Sequence, residues 1–237
     1  MAQIYIFRSY LIILNVPRFL IVAATKAEAL PLLNQFSITV QEETGMFVNE
    51  VSPGNVSVLI TGVGMVNTAY YMGRYAGSEF DHVINMGICG SFNRKIKIGE
   101  VVNVVSDTIS EMGAETEDEF IHFSEMNLGG TNIYHNRSRC SYKPLNNLKK
   151  VSGITVNTVH GDEESIRKIT DEFHPAVETM EGAAFLRCCE TFKSYYQLKA
   201  VSNYVEKRDR DKWNIPLAIN NVNDFVIKMI HTMEKAS

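Results

Sequence analysis

Residues 177–186 read V-E-T-M-E-G-A-A-F-L, a strand end that hands over to a helix through an acidic, methionine-containing turn. This reading puts Glu178 and Glu181 in the helix's first turn, where the helix dipole favours carboxylates. Gly182, Ala183 and Ala184 follow, so the turn has no bulk and a ligand or a neighbouring strand can approach closely. A carboxylate at such a junction suits paired hydroxyls, such as those of a ribose. A solvated helix start with favourable acidic residues would read the same way, so the surrounding pattern has to separate the two.

Outward from this junction, apolar runs alternate with helical patterns. Residues 19–24, 56–61, 82–86, 101–105, 154–159 and 197–202 are predicted strands. Residues 27–36, the stretch from the glycines at 62–64 through Met72 and Tyr75, and residues 166–173 are predicted helices. Pro216 sits where a helix accepts proline in its first turn. Ile219, Val222, Phe225, Val226, Met229, Ile230 and Met233 mark the apolar face of a terminal helix. Such alternation predicts an α/β fold, a three-layer α/β/α sandwich with a mostly parallel mixed central sheet. Residues 112–150 lack periodicity and carry Gly129-Gly130, which predicts a long loop region over or beside the site. With no repeat and no linker composition, residues 18–237 read as one domain.

Residues 4–14 are apolar around Arg8, too short to span a bilayer and without a basic leader. Residues 1–17 therefore read as an appended segment, and the expected location is cytoplasmic. A formal net charge of −4 over 237 residues offers no electrostatic footprint for nucleic acid. Cysteines at 89, 140, 188 and 189 include no C-x-x-C pair and read as reduced thiols, with Cys89 the one worth testing for reactivity. The six histidines show no metal-ligand spacing, so neither a metal nor a cofactor is expected.

Met180-Glu181-Gly182-Ala183-Ala184 resembles the M-E-x-A-A signature of the nucleoside phosphorylase/nucleosidase superfamily. Residues 23–28 (A-A-T-K-A-E) resemble the first strand and acidic loop of the methylthioadenosine/S-adenosylhomocysteine nucleosidases. Residues 61–67 (T-G-V-G-M-V-N) and 85–91 (N-M-G-I-C-G-S) resemble their later glycine loops. Residues 199–205 (K-A-V-S-N-Y-V), continued by Arg208-Asp209 and Trp213, look most like the futalosine-hydrolysing branch. The match covers roughly residues 18 to 235, with the blocks in the family's order.

The resemblance implies hydrolysis of the N-glycosidic bond of futalosine in menaquinone biosynthesis, releasing hypoxanthine and dehypoxanthine futalosine. A methylthioadenosine/S-adenosylhomocysteine-type nucleosidase, a purine nucleoside phosphorylase and a non-catalytic purine-nucleoside binder are the alternatives. The expected partner is a small-molecule purine nucleoside, with neither nucleic acid nor membrane, in a homo-oligomer of two or more copies.

Such hydrolysis needs a readied water, a stabilised oxocarbenium-like sugar and help for the departing purine. Glu28 lies at the C-terminal end of the first predicted strand, where open α/β sheets place ligands. Spacing alone allows a solvated helix-start carboxylate there, and the resemblance implies the catalytic base or acid. It makes Glu181 the acceptor for the ribose hydroxyls and packs Met180 on the sugar. Glu178, Gly64 and Gly87 also belong to the implied substrate site, although Thr179 interrupts the relatives' V-E-M-E. Lys199 stands where the adenine nucleosidases have Arg, and the two are not interchangeable at a bidentate site.

Asn203 stands where those enzymes have Asp. An amide donates two protons and cannot act as an acid, which suits the C6 carbonyl of hypoxanthine better than a 6-amino group. A turn-capping Asn is the plain alternative. The aromatic that stacks on the base is open among Phe120, Phe123 and Trp213. Asn85 and Ile88 supply no phosphate contact where a phosphorylase would need one, which favours hydrolysis over phosphorolysis.

Overall fold

The computed structural model describes residues 16–48, 55–75, 77, 79–117, 119–138 and 142–236. The expected appended segment lies outside them except for its last two residues, as does Cys140. Strand β1 (Phe19–Ala23) leads into helix α1 (Lys26–Gln35), and β2 (Gly45–Val48) and β3 (Val56–Ile60) precede α2 (Met65–Tyr75). Two long strands follow, β4 (His82–Ser91) and β5 (Val101–Ile109), then a small hairpin of β6 (Gly113–Glu115) and β7 (Phe120–His122). Strand β8 (Ile133–His135), the short α3 (Lys143–Asn146) and β9 (Lys149–Thr155) lead to α4 (Glu163–Phe173). The order ends with β10 (Val177–Thr179), α5 (Gly182–Cys188), β11 (Tyr195–Tyr204) and α6 (Ile215–Lys235).

β1 and β3 are buried at every residue, the mark of strands covered on both faces. Around them the sheet runs β10–β9–β5–β11–β4–β1–β3–β2, with β8 added on β5. Its middle is parallel: β1 with β3 and β4, and β11 with β4. Antiparallel pairs of β2 with β3 and β11 with β5 make it mixed. Helices α1 and α6 share one core with Phe19, Ile21, Val58 and Ile84. On the opposite face, α2 and α5 pack on Leu20, Val22 and Leu59. This is the expected α/β/α arrangement.

Half of the sheet also closes on itself. Val177 and Glu178 of β10 pair antiparallel with Ser91 and Gly90 of β4, so β4, β11, β5, β9 and β10 form a ring. Cys89, Val102, Val104, Val151, Val177 and Val201 form the core of that half.

Several local expectations need correction. The glycine stretch at 87–91 is no loop, because β4 continues through it to Ser91. Glu178 lies in β10, and α5 begins at Gly182 with Glu181 as its N-cap residue, so neither carboxylate is in the helix's first turn. The strand expected at 154–159 is β9, which starts and stops earlier. Residues 112–150 carry the hairpin, β8 and α3, short elements that periodicity cannot reveal. Cys89 is buried and its thiol is pushed up to about 12 by that burial, against a role as a reactive thiol.

Candidate active site

Glu28 is held where β1 meets α1. Thr25 caps the helix with its hydroxyl, accepting from the Glu28 N–H, while Glu28 Oε2 accepts from the Thr25 N–H (3.0 Å) and hydroxyl (3.1 Å). This capping box uses one carboxylate oxygen. The other, Oε1, accepts from the Ile88 N–H of β4 at 3.2 Å. Burial raises the Glu28 pKa above its ordinary value, while the positive charge of Lys199 lowers it and the negative charge of Glu181 raises it.

Lys199, from β11, is 1% exposed and registers opposite Gly87 of β4. A Cβ on Gly87 would stand 2.6 Å from Glu28 Oε1 and 3.1 Å from Lys199 Nζ. Only glycine lets these groups converge over the strand. Glu181 reaches the cluster from the cap of α5, and its Oε1 accepts from the Gly64 N–H at 3.0 Å. Gly64 has φ +99°, with open space where a side chain would project. Glu28, Lys199, Glu181, Gly87 and Gly64 therefore form one constellation drawn from five separate stretches of chain. Met180, next to Glu181, is half-buried.

A second group lies three residues further along β4. Gly90 registers with Glu178 on one side and Asn203 on the other. A Cβ there would meet Glu178 Cγ at 3.3 Å and Asn203 Nδ2 at 3.5 Å. The buried Glu178 carboxylate accepts from the His160 N–H at 3.2 Å and faces His160 Nδ1 at 2.7 Å. Asn203 follows a register shift in β11 and is tied to its own turn. Its Oδ1 accepts from the Ser202 hydroxyl and its Nδ2 donates to the Tyr204 carbonyl at 3.0 Å. One amide proton is thus used in the turn and the other is left over.

Of the aromatic candidates, Trp213 is half-buried under the Arg208 guanidinium, which lies 5.2 Å from its ring centroid. Phe120 packs edge-on to His122 in the hairpin, and Phe123 lies near Gly130. Among the described residues, none of the three makes a hydrogen bond, ion pair or ring contact with the Glu28 cluster. Asn85 donates its amide to the Val22 carbonyl and Ile88 packs on the core, so neither faces an anion.

Sequence reasoning passed over Asp107. It is fully buried in β5 and accepts from Thr155 Oγ1 (2.7 Å) and Gln197 Nε2 (2.9 Å). Burial raises its pKa to about 6, against the lowering effect of those hydrogen bonds and of Lys199. Thr155 in turn accepts from the Ala183 N–H, tying Asp107 to the start of α5 beneath Glu181. The one available signal was an acid inside the apolar run V-V-N-V-V-S-D-T-I. Among the described residues, no cluster of three potential ligands could hold a metal ion, and no helix is long and apolar enough to cross a membrane.

A family model described as the phosphorylase superfamily matches residues 18–231. The chain is 27% identical to a futalosine hydrolase of Streptomyces coelicolor over 162 residues, covering 67% of this chain and 68% of that protein. It is also 27% identical to a futalosine hydrolase of Thermus thermophilus over 175 residues, 68% of this chain and 75% of that one. In fold it is similar to the native structure of a futalosine hydrolase from Helicobacter pylori. The TM-score is 0.77 at 15% identity, with 92% of this chain and 98% of that chain covered.

Proposed function

The chain belongs to the phosphorylase superfamily, and from that premise we propose that it is an N-glycosyl hydrolase that cleaves futalosine to hypoxanthine and dehypoxanthine futalosine, a step of menaquinone biosynthesis. The observation that carries this reading is the convergence of Glu28 and Lys199 over Gly87, beside Glu181. A carboxylate with a raised pKa, beside a buried cation, suits a group that takes a proton from water and gives it back.

In this reading Glu28 readies the water, and Lys199 orients it and balances the charge. Glu181 keeps Oε1 on the Gly64 N–H and offers Oε2 to the ribose hydroxyls, each charge-assisted bond contributing roughly 1.5–3 kcal/mol. Met180 packs on the sugar. Asn203 spends one amide proton on Tyr204 and gives the other to O6 of the base. Hydrolysis is preferred to phosphorolysis because Asn85 is buried on the Val22 carbonyl and Ile88 offers an apolar side chain, so neither supplies a group for an anion.

The test is to incubate the protein with futalosine, aminodeoxyfutalosine, methylthioadenosine and inosine and to identify the released base. Hypoxanthine from futalosine, at a rate well above adenine release from the 6-amino substrates, is the expected result. Preferred release of adenine would move the protein to the methylthioadenosine-type nucleosidases.

A further inference from the structure

The chemistry above leaves one role unfilled. A purine departs as an anion unless a proton reaches its N7, and the Asn203 amide has no proton to yield. We propose that His160 is the general acid that protonates the departing purine, and that Glu178 positions its ring. The inference rests on the nucleosidase reading and deepens it.

Three observations carry it. First, the imidazole is oriented. Glu178 takes both the backbone N–H of His160 and its Nδ1, the latter at 2.7 Å, and Phe92 packs edge-on to the ring with centroids 6.2 Å apart. Nε2 makes no hydrogen bond to any described residue, so it is the nitrogen left to face a ligand.

Second, the backbone that follows His160 is anchored. The Arg208 N–H donates to the Gly161 carbonyl at 3.1 Å, and Asp162 caps α4 by accepting from the N–H groups of Glu164 and Ser165.

Third, the pair stands at the correct end of the site. Glu178 and Asn203 flank Gly90, whereas Glu28 and Lys199 converge over Gly87. Asn203, the residue read above as meeting the base, shares Gly90 with Glu178, so the His160–Glu178 pair lies at the base end of the site. The acid and the base of the reaction are thereby kept apart.

The step balances. The imidazolium passes its Nε2 proton to N7 while the C1′–N9 bond breaks and its electron pair stays with the purine. Water adds to C1′, and its proton goes to Glu28. Glu28 then returns a proton to solvent and His160 takes one up, so neither residue is consumed. Glu178 gives up no proton and serves to hold Nδ1 and balance the ring's charge, the part a carboxylate plays beside a catalytic histidine.

The experiment compares futalosine with N7-methylfutalosine, whose base is already cationic and leaves without protonation. His160→Gln should lower kcat on futalosine by about a hundredfold, as removal of a general acid does, while staying within about threefold of the parent on the N7-methyl compound. Glu178→Gln should show the same selectivity with a smaller loss. Activity on the methylated substrate also reports that each variant is folded. Equal losses on both substrates, or no loss on either, would overturn the assignment while leaving the parent's hydrolase activity standing. A parent that releases base from neither compound would remove the nucleosidase reading, and this inference with it.

Discussion

Glu28 takes three hydrogen bonds, yet burial still raises its pKa. Desolvation, with the negative charge of Glu181, therefore outweighs its donors and Lys199, which suits proton exchange with water better than a permanently ionised structural acid. Glu28→Gln should reduce kcat by roughly a hundredfold, since the amide keeps most of the geometry and loses the proton chemistry. Near-normal turnover, measured at saturating substrate, would return Glu28 to a capping role alone. Asp107 makes a separate prediction. Its folded pKa, about 6, lies above its ordinary value of 3.8. Stability is therefore fully present below the ordinary value and is lost as pH rises through 6, by about 3 kcal/mol at 1.36 kcal/mol per unit. Asp107→Asn removes that loss, and Gln197, whose buried Oε1 has no partner among the described residues, can turn to accept from the new amide. Urea unfolding at pH 4.5 and 7.5 should show the parent losing stability relative to the variant. Parallel profiles would mean that Asp107 does not titrate as its burial implies. At this scale Glu28 was legible as a carboxylate at a helix start, just past the first strand. His160 was not legible, because its partner lies 18 residues on and meets it only through the register of β9 with β10.

Helix α1 carries Pro31 inside it, and the element that accommodates it is α6. The buried Asn223 side chain accepts from the Leu32 N–H at 3.0 Å and donates to the Glu28 carbonyl at 2.7 Å. Those two groups would pair with each other in an undistorted turn, so the amide bridges the turn that proline disturbs and steadies the backbone of Glu28. Asn223→Ala leaves both groups short of a partner at a cost of about 1–3 kcal/mol each, and should lower kcat more than it raises KM. Adding Pro31→Ala should restore part of the stability by letting the turn close, as read by chemical denaturation of the single and double variants. Additive losses would show that the two residues act independently. Gly182→Ala tests the start of α5 in the same way. Its Cβ would fall 2.0 Å from Asp107 Oδ2 and 2.1 Å from Gln197 Nε2, so overpacking should cost roughly 1–3 kcal/mol. Apolar runs and periodicity made most strands and the long helices legible, with α6 the plainest. The junction at Glu178 was misplaced because a three-residue strand between polar groups leaves no periodic signal.

Over the whole molecule, strand–helix alternation was enough to predict three layers, and the helices divide between the two faces as it implied. The closing of half the sheet was not legible. It depends on β10 pairing with both β9 and β4, a relation between stretches far apart in sequence that no local pattern encodes. Yet that closure brings Glu178, with His160 bonded to it, beside Gly90, while the parallel middle of the sheet brings Lys199 over Gly87 to meet Glu28. The same architecture buries Asn85 on the Val22 carbonyl and leaves only the apolar side chain of Ile88 where a phosphorolytic enzyme would need groups to receive an anion. In the proposed reading, water rather than phosphate is the acceptor of the glycosyl group. The most direct test is turnover of futalosine in phosphate-free buffer and in phosphate, with both products identified. The account predicts equal rates, hypoxanthine and a free reducing sugar in both buffers. Dependence on phosphate with formation of a sugar 1-phosphate would contradict it.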